Sequence, residues 1–458
     1  MTDHPNAESA GRPPVIVFLT DQQRWDTCGI AGNPEGLTPN LDHAARSGTW
    51  FDNAHTPQPL CTPARSCLQT GRFATSNGVH RNGLALAEDA DTLAKRFDGA
   101  GYSTCYIGKW HLAESSSRGP VRPEQRGGYR TWLAANALEH VSDSYQTRLW
   151  DNDQEPVDLP GYRVDALTDA AIRYISDHKD EPFFLFLSFL EPHHQNRRDD
   201  YPAPEVYLNR YHGSWLPPDL ASLVGTAYQQ IGGYYGMIKR LDEAYGRILD
   251  ALRSLGLYDQ AVVAFTSDHG NHFKTRNGEY KRSVHDASTR VPLLLRGPYV
   301  PRGRIVEDVV STVSLPATLL ELAGIDAPDG IQPSLTETMC ADSVPAGEAF
   351  IQVSESEVAR AIRTRRWKYG VTAPDKDPRW DAGSERYVET YLYDLEADPY
   401  ELTNLVGLSS HREVSDRLRH RLLDWMKIAG EPTAVIEPAV VDPAGFSQRV
   451  VLPTEVVA

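Results

Sequence analysis

Ala261-Val262-Val263-Ala264-Phe265-Thr266-Ser267 is a mostly apolar run that turns polar at once in Asp268-His269-Gly270. β-Branched and aromatic residues in a run of this length suit a strand buried on both faces, as in a parallel sheet. Two distant stretches repeat the plan. Val15-Ile16-Val17-Phe18-Leu19-Thr20 ends in Asp21-Gln22, and Phe183 to Leu190 ends in Glu191-Pro192-His193-His194. Ser103 to Ile107 reads as a further strand, followed by Gly108-Lys109-Trp110-His111. Open α/β sheets gather ligands at the carboxyl ends of their strands. Each run delivers acids, imidazoles or a cation at that end, so one polar site built from distant segments is predicted.

Helical stretches lie between these runs, as a doubly wound sheet requires. Thr38-Pro39 opens one that runs toward Gly48, with a cap and a first-turn proline. Asp165 to His178 has apolar residues at helical spacing, and Thr226 to Leu255 is the longest, with Gly232-Gly233 marking a kink or its true start. Ser314-Leu315-Pro316 begins a short helix that stops at Gly324. From about residue 346 the character changes. Ala361 to Val371 and Tyr391 to Leu395 read as strands of an antiparallel sheet, with His411 to Ile428 as a covering helix. The predicted organisation is a catalytic α/β domain over 1–340, an α+β subdomain over 341–430, and an extended arm over 431–458. The arm is the expected subunit contact if the chain is a homo-oligomer. No internal repeat interrupts this order.

The chain has 458 residues, 40% of them hydrophobic and 24% charged, with a formal net charge of −16. That balance suits a globular protein and argues against a nucleic-acid partner, whose phosphates it would repel. Cysteines 28, 61, 67, 105 and 340 are few, odd in number and irregularly spaced, which is neither a disulfide framework nor a zinc ribbon. Met1 to Pro14 has no charged-then-apolar leader, and Phe183 to Leu190 is too short to cross a bilayer. A cytoplasmic protein without a membrane partner is the expectation.

Cys61-Thr62-Pro63-Ala64-Arg65, running on to Thr70-Gly71-Arg72, can be read in two ways. It suits a small buried cysteine before a helix. It also suits a nucleophile at a helix N-terminus, with Arg65 one turn on as a two-pronged donor to the same anion. Asp21 with Gln22 and Asp268 with His269 are paired metal-ligand candidates at two strand ends. Their oxygen ligands suit calcium or magnesium, and an imidazole shifts preference toward manganese, iron or zinc. Lys109, His111, His193, Lys281 and Arg65, together with the metal, would surround a tetrahedral anion. Without such an anion the cluster would be costly to assemble.

On these residues the chain resembles the type I sulfatases, formylglycine-dependent hydrolases of the alkaline phosphatase superfamily. The resemblance runs from Leu19-Thr20-Asp21 through Thr38-Pro39-Asn40-Leu41-Asp42, the Cys61 to Arg72 signature, Gly108-Lys109-Trp110-His111 and Ser267-Asp268-His269-Gly270. It continues to Arg290-Val291-Pro292-Leu293, Leu392-Tyr393-Asp394-Leu395, Asp398-Pro399 and Asn404-Leu405. It implies an alkaline-phosphatase-like sandwich: a large, mostly parallel central sheet flanked by helices, then a smaller antiparallel sheet with a packed helix.

The resemblance also implies that a formylglycine-generating enzyme oxidises Cys61 to an aldehyde, which hydrates to a gem-diol. One hydroxyl attacks sulfur, and loss of the second hydroxyl's proton expels sulfate. By the same resemblance Asp21, Gln22, Cys61, Asp268 and His269 hold the metal. Arg65 steadies the diol, and Lys109 and Lys281 bind sulfate oxygens. His111 is the base for collapse of the intermediate, and His193 or Lys281 the proton donor to the leaving oxygen. Asn82 would touch the transferred group. His194, His272 and Arg276, with Asn196, Arg197, Arg198, Trp215 and Tyr280, are candidates for leaving-group recognition.

Three positions depart from the commonest pattern: Gln22 for Asp, His269 for Asn and Ala64 for Ser. Family precedent points to calcium, and His269 brings in manganese. The expected reaction is hydrolysis of sulfate monoesters of a small carbohydrate or an aryl group. A phosphonate monoester or phosphodiester hydrolase is the alternative, and a non-catalytic anion-binding relic the minor one.

Overall fold

Alternation along each apolar run sorts its side chains to opposite faces of a sheet. Val15, Val17 and Leu19 join one buried cluster, and Ile16 and Phe18 another. Phe184 and Phe186 part from Leu185 and Leu187 in the same way, as do Val262 and Ala264 from Val263 and Phe265. Both faces are covered, which is why these strands read as continuous runs.

The computed structural model describes residues 12–114, 118–341 and 347–440. Among them, ten strands form the main sheet. They are β1 (Val15–Thr20), β2 (Gly48–His55), β3 (Ser103–Lys109), β4 (Thr131–Ala135), β5 (Thr147–Trp150), β6 (Pro156–Leu159), β7 (Phe183–Ser188), β8 (Val262–Ser267), β9 (Leu293–Arg296) and β10 (Arg304–Ser311). Their order is β10-β2-β9-β8-β1-β7-β3-β4-β5-β6. β1 pairs parallel with β7 and β8, and β3 with β7 and β4. β9 is antiparallel to both β8 and β2, so β2 points the same way as β1. The carboxyl ends of β2, β8, β1, β7, β3 and β4 therefore share one edge.

Helices Pro39–Ala45, Arg163–Asp177 and Ala227–Ser254 cover the Ile16 face, with Leu41, Leu167 and Ile248 in its cluster. Cys61–Thr70, Leu93–Gly99 and Leu315–Leu322 cover the Val15 face through Leu68, Phe97 and Leu319. Each such side chain contributes roughly 1.5–3 kcal/mol by burial. The long helix runs unbroken through Gly232-Gly233, so these glycines are not its start. They form a notch. A Cβ on Gly233 would lie 2.2 Å from the Tyr201 carbonyl oxygen, and one on Gly236 2.7 Å from the Ala203 Cβ.

The second sheet is β11 (Ala349–Val353), β12 (Ala359–Arg363), β13 (Trp367–Thr372), β14 (Arg386–Asp394) and β15 (Val435–Glu437), in that order. It is antiparallel except for the β14–β15 pair. Helix Arg412–Ile428 lays Leu418, Leu422 and Met426 into its core cluster. One expectation is corrected. Ala361 to Val371 is a hairpin of β12 and β13 rather than one strand, because the Trp367 amide donates to Thr364 Oγ1 and closes a turn between them. Within the stretch from residue 431, strand β15 lies extended on the edge of this sheet, parallel to β14. Residues 441–458 of the arm, 342–346 of the boundary stretch and 1–11 of the N-terminal stretch lie outside the described residues.

Candidate active site

Strand ends place the polar groups. β1 hands over to Asp21 and Gln22, β8 to Asp268 and His269, and β3 ends on Lys109 two residues before His111. Gln22 and His111 both have positive φ, 71° and 62°, a conformation that costs a non-glycine residue about 1 kcal/mol or more. Gly108, at φ 109°, sits so close to β7 that a Cβ would lie 1.9 Å from the Ser188 carbonyl oxygen. β2 leads through Thr56–Leu60 to helix Cys61–Thr70, whose first residue is Cys61. Leu60 gives this helix no side-chain cap, and Asn82 Oδ1 instead accepts from the Thr62 amide at 3.2 Å.

The Cys61 sulfur is ringed by Lys281 Nζ at 2.9 Å, His269 Nε2 at 3.3 Å, Asp21 Oδ1 at 3.6 Å and Lys109 Nζ at 3.7 Å. One ligand atom from each of Asp21, Cys61, Asp268 and His269 lies within 4.8 Å of the others, and all four residues are buried. His269 Nδ1 faces the Gly270 carbonyl oxygen at 2.9 Å, which puts the proton there and leaves the Nε2 lone pair facing Asp21 and Asp268, each at 3.5 Å. Gln22 Nε2 donates to the Tyr201 hydroxyl at 3.3 Å, leaving its Oε1 3.5 Å from Lys281 Nζ. Two carboxylates, a carbonyl oxygen and an imidazole nitrogen converging here fit a divalent cation.

Arg65 holds the floor together. Its Nε donates to Asp268 at 3.1 Å, one terminal nitrogen to Asp21 at 3.0 Å, and the other to the Lys109 carbonyl and Ser188 Oγ, both at 2.7 Å. Lys109 Nζ bridges Asp21 at 2.8 Å and Glu139 at 3.3 Å, and Glu139 also faces His111 at 4.0 Å. His193 Nδ1 donates to the His194 carbonyl at 2.7 Å, which leaves its Nε2 without that bond.

Burial works against every charge in this cluster, and the neighbours decide each outcome. Burial pushes the Cys61 thiol up, but the Lys109 and Lys281 ammonium groups hold it well below the usual thiol range. Burial also raises Asp21, and Lys109, His193 and Arg65 hold it below its ordinary value against the Cys61 charge. Asp268 is pushed up to about 6 by burial and by Asp21 beside it. Glu139 falls to about 2 despite its burial, because Lys109, His111 and His193 face it. His193 is held down, first by burial and then by Lys281.

Asp21, Gln22, Cys61, Arg65, Lys109, His193, Lys281, Asp268 and His269 are thus drawn into one buried cluster, with His111 joined to it through Glu139. His194 lies at the edge of this group, its ring 4.3 Å from those of His193 and Tyr280. Two expectations fail. His272 is fully buried with Nε2 3.0 Å from the Lys281 carbonyl oxygen, so it braces the backbone instead of meeting a leaving group. Arg276 donates both terminal nitrogens to the carbonyls of Tyr400 and Glu401, tying its loop to the second sheet's side of the molecule. Arg197 donates to the His140 carbonyl, Arg198 pairs with Asp143 and Asp200, and the Trp215 amide is held by Glu35. Glu139, Ser188 and Tyr201 escaped the sequence reading. The run Thr131-Trp132-Leu133-Ala134-Ala135 before Asn136-Ala137-Leu138-Glu139 carried the same strand-end signal for Glu139.

Family comparisons cover both sheets. Residues 13–325 match the sulfatase family model, and residues 278–427 match the N-sulphoglucosamine sulphohydrolase C-terminal model. The ulvan-active sulfatase of Formosa agariphila is 30% identical over 430 residues, covering 90% of this chain and 80% of that protein. The yidJ crystal structure from Bacteroides fragilis superposes with a TM-score of 0.80 at 24% identity, covering 94% of this chain and 98% of the other. The phosphonate monoester hydrolase of Agrobacterium radiobacter shares the fold at a TM-score of 0.71 and 24% identity, covering 91% and 96%. A metal-competent, cation-lined cysteine at the head of a helix, inside a chain matched along most of its length, identifies a member of the sulfatase family, a sulfuric ester hydrolase.

Proposed function

We propose that the protein removes sulfate from a small sulfated carbohydrate, using a formylglycine made from Cys61 and one divalent metal held by Asp21, Gln22, Asp268 and His269. The observation that carries this reading is the ring of Lys109, Lys281 and the His269 lone pair around the buried Cys61 sulfur. Once hydrated, the modified residue supplies a nucleophilic hydroxyl and a second hydroxyl whose deprotonation releases sulfate. The divalent cation supplies Lewis acidity toward oxygen and positive charge for an anionic ester.

Lys109 and Lys281 flank the reacting position and neutralise the oxygens of the transferred group. Arg65 keeps two buried carboxylates side by side and so fixes the cation's ligands. His111, with Glu139 behind it, takes a proton as sulfate is released. His193, with Nδ1 held by the His194 carbonyl, gives a proton to the departing alcohol from its other ring nitrogen. Calcium is the family's metal, and the His269 nitrogen also suits manganese. The similarity to the Formosa agariphila enzyme supports a carbohydrate leaving group. The five free cysteines, four of them buried, suit a reducing compartment. Among the described residues, no helix is long and apolar enough to cross a membrane.

Co-expression with a formylglycine-generating enzyme followed by mass spectrometry across Cys61 tests the modification. Sulfate release over sulfated sugars, an aryl sulfate and an aryl phosphonate ester tests the substrate. The expected result is an aldehyde at Cys61 and the highest kcat/KM on a sulfated sugar. An intact thiol with no turnover, or a large preference for the phosphonate ester, defeats the reading. EDTA should abolish turnover, with calcium or manganese restoring it.

A further inference from the structure

The turn between β11 and β12 belongs to the second sheet, yet its polar groups reach the loops that frame Cys61. Just before the turn, in β11, Gln352 donates its backbone amide to the Pro57 carbonyl, and within the turn Ser354 Oγ donates to the His80 carbonyl at 2.7 Å. Ser356 Oγ donates to the Arg282 carbonyl at 2.5 Å. Glu355 stands between these ties at φ 67°, a strained backbone for a glutamate. Its Oε1 accepts from the Asn82 amide at 2.7 Å, and its Oε2 pairs with Arg282 at 2.9 Å. Arg282, next to Lys281, is likewise left-handed at φ 68°, and its amide donates to the Pro59 carbonyl two residues before Cys61.

Both partners of Glu355 lead directly to reacting groups. Asn82 is the residue whose Oδ1 accepts from the Thr62 amide at the head of the Cys61 helix. Arg282 carries the backbone from which Lys281 reaches to 2.9 Å from the Cys61 sulfur. We infer that Glu355 is a positioning residue for sulfate-ester hydrolysis: one carboxylate fixes the Lys281 ammonium and the Cys61 helix start relative to each other. The inference rests on the reading above that Lys281 neutralises the transferred sulfate. The second sheet thereby takes part in the chemistry without touching substrate. A carboxylate suits the position because two oxygens meet two donors in two directions, an amide N–H and a guanidinium.

The test is steady-state hydrolysis of an aryl sulfate by Glu355→Ala, Glu355→Gln, Arg282→Ala and Lys281→Ala, each normalised to formylglycine content, with inhibition by inorganic sulfate and thermal midpoints alongside. A misplaced charge costs roughly ten- to a hundredfold in rate, so Glu355→Ala should lose that much kcat/KM. Its sulfate inhibition should weaken severalfold. Glu355→Gln, which keeps an acceptor for Asn82, should lose less, and the Glu355→Ala/Arg282→Ala double variant should lose no more than the worse single one. If Glu355→Ala does not fold, Glu355→Gln and Arg282→Ala carry the same comparison. A lowered thermal midpoint with unchanged kcat/KM and sulfate inhibition overturns the inference, as does no change at all. If Lys281→Ala keeps full turnover, the reading of Lys281 fails and the inference falls with it. If only Lys281→Ala loses turnover, the inference alone is overturned.

Discussion

The two sheets treat buried charge in opposite ways. In the second sheet each buried cation is closed off by carboxylates. Arg360 sits on Glu431, Arg363 on Asp286, and Lys368 between Asp286 and Glu401. At the carboxyl edge of the main sheet, Arg65 and Lys109 pair with Asp21, Asp268 and Glu139, while Lys281 meets the Cys61 sulfur, the His269 ring and the Gln22 side chain. A divalent cation bound there would add positive charge that an incoming anion could offset. A structural network is complete in itself; a binding network is completed by its ligand.

That contrast can be broken most directly at Cys61. Cys61→Ala should lower kcat/KM for sulfate release by at least about 10⁴-fold while the thermal midpoint stays near wild type. Arg65→Lys removes a fork that serves two carboxylates and two further oxygens, and should destabilise the fold by about 4 kcal/mol in denaturant unfolding.

Glu139→Gln sharpens the comparison through pH. The Glu139 carboxyl is depressed from 4.5 to about 2, so its stabilising share is present above pH 4.5 and fades as pH falls through the folded value. The stability gap between wild type and Glu139→Gln should be about 3 kcal/mol at pH 5 and vanish near pH 2. A gap that stays constant over that window would rule out the ion pair as its source.

In the helix that covers the second sheet the expected losses are of stability alone. Leu422→Ala, on the fully buried face of the covering helix, should cost about 2–3 kcal/mol without altering kcat/KM per folded molecule. Glu413→Ala, which breaks a surface pair with Arg417, should change stability by less than about 0.5 kcal/mol.

The central strands were legible because burial on both faces leaves an unbroken apolar signature, and β1 spans the same residues, Val15–Thr20, that the sequence pattern marks. The polar groups at the ends of β1, β3 and β8 were legible for a related reason: a charged residue directly after such a run has the sheet edge as its place. Side-chain direction within loops leaves no such trace. His272 and Arg276 follow Asp268 closely, yet one supports a backbone carbonyl and the other reaches toward Tyr400. The β12–β13 hairpin was hidden because Thr364-Arg365-Arg366 is a turn without glycine, proline or asparagine. Glu355 was invisible for a different reason. Its role exists only through contacts with residues more than seventy positions away in sequence, at Asn82 and Arg282.

The glycine notch in helix Ala227–Ser254 reaches further than packing. Gly233 lets the Tyr201 backbone lie against the helix, and the Tyr201 hydroxyl accepts from the side-chain amides of Asn271 and Gln22. The phenol therefore acts as a compass needle for the Gln22 amide, keeping its nitrogen outward and its oxygen toward the reacting centre. A methyl group added at position 233 would push on the far side of that needle. The side-chain orientation of Gln22 thus depends on a notch in the same helix whose Tyr234 hydroxyl donates to the Gln22 carbonyl.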